Sequence, residues 1–178
     1  MNDELHWVRW WAYAWKEAHT DWLPPGLAAV KHASLLDLAQ ARHMSLAQAF
    51  AIDPCKPPKP HPAQLRFVLA EAHERQLILQ LVEAACRSQV QLQLNEEQGL
   101  WCNRIAKAMN TESWLAPLDD ALQLLRAWVM PECWQRLRLA FVRQRILELE
   151  QAPPLLLSPA KLDALWQAVI WRTLSSQS

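Results

Sequence analysis

Glycine is almost absent: only Gly26 and Gly99 occur in 178 residues. Loops that cradle phosphates need backbone without a Cβ, close to the ligand. Two isolated glycines exclude a P-loop, a dinucleotide fingerprint and a nucleophile elbow. No run approaches eighteen consecutive apolar residues, so no membrane span is expected. The start, MNDELHWVRW, has early acids and no basic-then-apolar signal region. Cys55, Cys86, Cys102 and Cys133 lie far apart without a CxxC pair. They read as reduced thiols, three of them inside helical patterns. Net charge is also missing, because eighteen basic side chains cancel eighteen acidic ones. A nucleic-acid binder carries a basic excess on at least one face. The expectation is a cytoplasmic protein with no nucleic-acid partner and no direct membrane insertion.

What the chain has in abundance is tryptophan, eleven residues in all. Tryptophan joins a large apolar area to one N–H donor and is enriched at interface hot spots. Helical periodicity dominates the rest, which predicts an all-α fold, an irregular multi-helix bundle of about seven to nine helices. The chain fits a single helical domain, 1–178. Within it, 1–52 reads as an N-terminal helical subdomain and 63–178 as the main bundle. Between them, 53–62 packs five prolines into ten residues and reads as a semi-rigid connector.

The first helix is predicted from Asp3 to about Thr20, capped by Asn2 or Asp3 and ended by Pro24, Pro25 and Gly26. Shorter helices capped by Ser34 and Ser45 follow. Pro62 starts a helix toward Arg87, with a bend near Glu74 to Gln76. Gln89 to Leu94 reads as extended loop, helix or a short strand. Asn95 caps a helix to about Met109, and Pro117 opens another ending near Met130. Pro131 opens a long helix to about Glu150. Ser158-Pro159 starts the last helix, whose buried side is Leu162, Leu165, Trp166, Val169 and Ile170.

On the first helix, Trp7, Val8, Trp11, Trp15 and Ala18 share the arc expected to be core. Trp10 lies at its margin and Tyr13 nearly opposite, so both are candidates to meet a partner protein. The helix from Pro131 is apolar almost all round. Arg136, Arg143 and Glu150 form its one polar stripe, and the two arginines join Trp10 and Tyr13 as candidate interface residues. Arg138 and Arg145 fall inside the apolar arc and need acceptors, Asp119 or Asp120 for Arg138 and Glu148 for Arg145. The six histidines form no HExxH, and no His/Cys pair has zinc spacing. Asp119 and Asp120 point about 100° apart on a helix and read as first-turn charges at the positive end of the helix dipole. No thiol–imidazole pair is favoured locally. No catalytic residue, cofactor or metal is expected.

Several segments together resemble a known family. They are LHWVRWWAYAWKEAHTDWLP near the start, HPAQLR at His61 to Arg66, LWCNRIAKAM at Leu100 to Met109 and RAWVMPECWQRLRLAF at Arg126 to Phe141. They resemble the type III secretion sorting-platform adaptors, the SctK family, most nearly its Hrp branch. The resemblance implies a non-enzymatic adaptor at the cytosolic face of the inner membrane. Its implied partners are an inner-membrane ring protein of the SctD type and a pod protein of the SctQ type. The other reading is a small all-helical secreted effector or enzyme, with a cleft formed by sequence-distant residues.

Overall fold

The computed structural model describes residues 3–23, 47–87 and 94–175. Among these residues the fold is all-α, about 70% helical and without strands. The chain divides into two compact units that are not consecutive in sequence. The first holds Met1–Pro60 and Val129–Ala152, the second His61–Trp128 and Pro153–Ser178. The division at residue 60 falls inside the proline-rich connector. Val129–Ala152, which the sequence assigns to the main bundle, belongs instead with the N-terminal part. The predicted caps Asn2, Ser34 and Ser45, the stop at Pro24, Pro25 and Gly26, and most of Gln89 to Leu94 lie outside the described residues.

In the first unit, α1 spans Asp3–Tyr13 and then tightens to a 3-10 turn, Ala14–Glu17. The expected run to Thr20 is cut short by partners distant in sequence. The His19 N–H bonds the Leu139 carbonyl at 2.7 Å, and Trp22 Nε1 bonds that of Phe141 at 2.9 Å. The same bonds explain why the predicted helix from Pro131 to Glu150 is also broken. It forms α6 (Pro131–Leu137), a 3-10 turn (Arg138–Ala140) and α7 (Arg143–Glu150). The break brings Glu150 back onto Arg138, with both carboxylate oxygens 3.1 Å from Nη1. In a continuous helix, twelve residues would separate these groups by about 18 Å. Arg138 is thus served by Glu150, not by Asp119 or Asp120.

The second unit is built from α2 (Pro62–Leu69), α3 (Ala72–Cys86), α4 (Glu96–Met109), α5 (Ala121–Trp128) and α8 (Pro159–Ser175). Pro62 and Pro159 occupy first-turn positions where no N–H is missed. The bend expected near Glu74 falls earlier, at Ala70 and Glu71. Glu71 and Glu74 form a capping box there, with the Glu71 N–H donating to the Glu74 carboxylate at 2.7 Å. Asn95 caps α4 in the same reciprocal way with Gln98. The helix expected to open at Pro117 begins only at Ala121. Asp119 and Asp120 precede it, accepting the N–H groups of Ala116 and Leu122. α3 packs along α4 and α8. The predicted stripe of α8, Leu162 to Ile170, is buried throughout. Trp166 sits at its centre, stacked on Trp128 at 4.9 Å and 7° and met edge-on by Phe67.

Trp166→Ala should cost about 3–5 kcal/mol, since it removes a fully enclosed indole and leaves a cavity. Leu156→Ala, at a fully exposed position, should change stability by less than about 0.5 kcal/mol. Urea unfolding measures both, and equal small effects would mean that the indole stack does not hold the second unit.

Candidate functional site

The four candidate interface residues have different fates. Trp7, Trp11 and Trp15 are buried as expected. Trp10 is buried as well, at 8% exposure, where the sequence places it at the margin. The cause is aromatic packing: Trp10 stacks on Trp7 at 5.2 Å and meets Trp11 edge-on at 6.2 Å. Tyr13 is half-buried, its ring lying under the Lys16 ammonium at 4.4 Å. Val8, assigned to the core arc, is 47% exposed. Trp10 and Tyr13 still line one open hollow with Arg9, Lys16 and Glu17.

Arg136 is not on a surface stripe. It is 5% exposed, and its guanidinium lies 3.9 Å over the Trp11 ring. Nε donates to the Trp11 carbonyl at 3.0 Å, Nη1 to Glu132 at 2.9 Å and Nη2 to Asp53 at 3.4 Å. Burial lowers its pKa from the usual arginine value, while Cys55, Cys133 and Asp53 act in the opposite direction. The sequence pattern missed this because Trp11 and Asp53 lie far from α6 along the chain. Arg143 does remain exposed, with its guanidinium 5.5 Å from the Trp22 ring.

A hollow of about 670 Å³ lies in the second unit, between α2 and α8. Ala63, Ala164 and Ala168 give it a small-residue floor. His61, Arg66 and Trp171 are among its wall residues. Trp171 is 63% exposed, an unusual position for an indole. Arg66 is exposed and makes no ion pair among the described residues. Asp163 lies beside this rim, 3.6 Å from His61 Nδ1, and is held by Trp128 Nε1 at 3.2 Å and Gln167 Nε2 at 2.6 Å. A His–carboxylate pair can orient a base, but the residues lining this hollow include no serine, threonine or cysteine for it to activate. The groove instead combines an apolar floor, an aromatic flank and an exposed cation. Arg66 belongs to the HPAQLR element, but no local pattern marks it as unpaired. Trp171 could have been found as the one aromatic of α8 outside the buried stripe.

No group of three or more potential ligands is placed to hold a metal ion among the described residues. No described helix is long and apolar enough to cross a membrane. Of the thiols, Cys55 is exposed and the other three are buried. No known protein family, curated protein or solved structure matches this chain.

Replacing Arg136 by Gln should destabilise the fold by roughly 3 kcal/mol, because three carbonyls lose a charged donor. Arg143→Gln should stay within about 0.5 kcal/mol. Comparable midpoints for the two variants in urea would contradict the buried assignment of Arg136.

Burial pushes the thiols of Cys86 and Cys133 up to about 12 and that of Cys102 up to about 11, from an ordinary value of 9.0. Unfolded thiols ionise first, so above pH 9 the folded state holds more protons than the unfolded one. This contribution to stability is complete below that pH and is lost as pH rises toward the folded values. Cys133→Ala removes one of these ionisations. Its unfolding free energy should therefore fall less steeply than that of the unchanged protein between pH 9 and about 11. Parallel slopes would show that Cys133 does not contribute.

Proposed function

We propose that this protein is a non-enzymatic adaptor that works by holding other proteins. We further propose that it serves a type III secretion apparatus, linking an inner-membrane ring protein of the SctD type to a pod protein of the SctQ type. The observation that carries the docking reading is the exposed Trp171 beside the groove of α2 and α8, with Arg66, which makes no ion pair among the described residues, on the same wall. A large aromatic gives contact area at small entropy cost, and arginine gives forked donors for a carboxylate. The resemblance of the four segments to the SctK family supplies the secretion setting and the partners. It also supplies the cytosolic location at the inner-membrane face. The charge balance of the chain agrees with a protein partner rather than a nucleic acid.

The test is a double variant, Arg66→Glu with Trp171→Ala. Both positions are exposed, so its melting temperature should stay within a few degrees of the unchanged protein. In a pull-down from bacteria carrying the secretion system, the unchanged chain should retain the pod protein and the variant should lose most of it. Normal retention by the folded variant would remove this groove from the interface. Normal secretion in a strain lacking the whole chain would remove the adaptor assignment.

A further inference from the structure

From Asp53 to Pro60 the chain forms neither helix nor strand. Every residue of this segment except Cys55 is a proline or precedes one. Proline holds φ at about −65°, and the residue before it is pushed out of the helical region. Such a segment runs as a polyproline II ridge, with three residues per turn and no hydrogen bonds of its own. Residues three apart then share an edge. Pro54 lines up with Pro57, Cys55 with Pro58, and Asp53 with Lys56 and Lys59.

The first unit grips this ridge at Cys55 and Pro58. Trp11 Nε1 donates to the Cys55 carbonyl at 3.1 Å, and Trp7 Nε1 to the Pro58 carbonyl at 2.8 Å. The Cys55 side chain is a hydrogen-bond partner of Arg136. The other two edges are open. Pro54, Lys56, Pro57 and Lys59 are all exposed, whereas Pro58 is half-buried. The two exposed prolines border an open hollow of about 230 Å³. The carbonyls of these four residues accept no hydrogen bond among the described residues, and neither lysine makes an ion pair there.

We propose that this ridge is a ligand for an SH3-type domain of a partner protein. Such a domain receives two residue-proline pairs between parallel aromatic side chains, and a cation against carboxylates at the end of its groove. Asp53-Pro54 and Lys56-Pro57 are the pairs, and Lys59, two residues after the second proline, is the cation. These five residues make up the two open edges. The edge of Cys55 and Pro58 is the one that such a groove leaves uncovered. The only acid of the segment, Asp53, stands six rises from Lys59, roughly 19 Å, so it does not meet the partner's carboxylates. The indole bonds hold the ridge in its docked form beforehand, which lowers the ordering cost of binding. An acidic surface without aromatic ridges would take the lysines and ignore the prolines.

The probe is an isolated SH3 domain that binds PxxPxLys and PxxPxArg peptides, added to the full-length protein labelled with ¹⁵N. The Lys56 and Lys59 amide signals should shift saturably. Lys59→Glu should weaken binding about tenfold or more, since a charge-assisted bond is lost and repulsion added. Pro57→Ala should weaken it about tenfold as well. Lys161→Glu, the same charge change on α8, should leave it within about twofold. All three positions are exposed, and an unchanged melting temperature shows that each variant is folded. No saturable shift up to about 1 mM SH3 domain would overturn the proposal. Equal losses for Lys59→Glu and Lys161→Glu, or no loss for Pro57→Ala, would also overturn it by reducing the contact to charge. Saturable shifts with a WW domain and none with the SH3 domain would do the same. The ridge belongs to the first unit and the groove of α2 and α8 to the second, so either can fail alone.

Discussion

Arg136 donates to carbonyls of Trp11, Asp53 and Glu132, and its plane covers the Trp11 indole. These carbonyls belong to α1, to the start of the proline-rich segment and to α6. One cation thereby ties together three stretches that the chain order keeps far apart. The neighbouring Gln135 repeats the connection, accepting from the Asp53 N–H and donating to its carboxylate. With the bonds from His19 and Trp22 to Leu139 and Phe141, these contacts hold residues 129–152 against the N-terminal part. The organisation of the first unit therefore depends on a buried polar contact more than on helix propensity.

The same point explains what could be read from the sequence. Where an element is decided by its own residues, the pattern was sufficient. Asn95, Pro62, Ser158-Pro159 and the stripe from Leu162 to Ile170 are local signals, and each is found as written. Where an element is decided by a distant donor, the pattern failed. The apolar run after Pro131 reads as one helix because nothing in it announces that His19 and Trp22 will take the carbonyls of Leu139 and Phe141. Arg136 fell on a polar stripe of a helix that does not continue, so its exposure was misjudged with the helix itself. Trp10 failed for a related reason, since a wheel places it by angle and ignores the two indoles that cover it. Of the groove, the HPAQLR element was noticed, but Trp171 was not. A reading of α8 that asks which residues are buried passes over the one aromatic that is not.

The composition also has a physical account. Few glycines and many prolines leave irregular segments with carbonyls that need donors and a backbone short of N–H groups to supply them. Tryptophan fills that need while adding apolar area. Trp7 and Trp11 donate to the carbonyls of Pro58 and Cys55, fastening the proline-rich segment to α1. Trp22 donates across the break after Ala140. Trp128 and Trp134 donate to the carboxylates of Asp163 and Glu150. The indole acts here as a cross-link whose N–H replaces regular backbone pairing. This is why the Trp cluster of α1 turns inward even though tryptophan is a common interface residue.

Among the described residues, two buried indole N–H groups, those of Trp15 and Trp166, have no acceptor. Trp166 Nε1 has no partner, but its ring is enclosed by Trp128 and Phe67 at the centre of the second unit. The unsatisfied donor, costing about 1–3 kcal/mol, is outweighed by burial of an entire indole and its aromatic contacts. Trp15 Nε1 also lacks a partner among the described residues, and its ring is buried as well, with Tyr13 meeting it edge-on at 6.3 Å. Dense aromatic packing accounts for the first case. In the second, a ring 6% exposed gains its burial at the same cost. In both places the area of the enclosed ring, and not the N–H donor, decides where the indole sits.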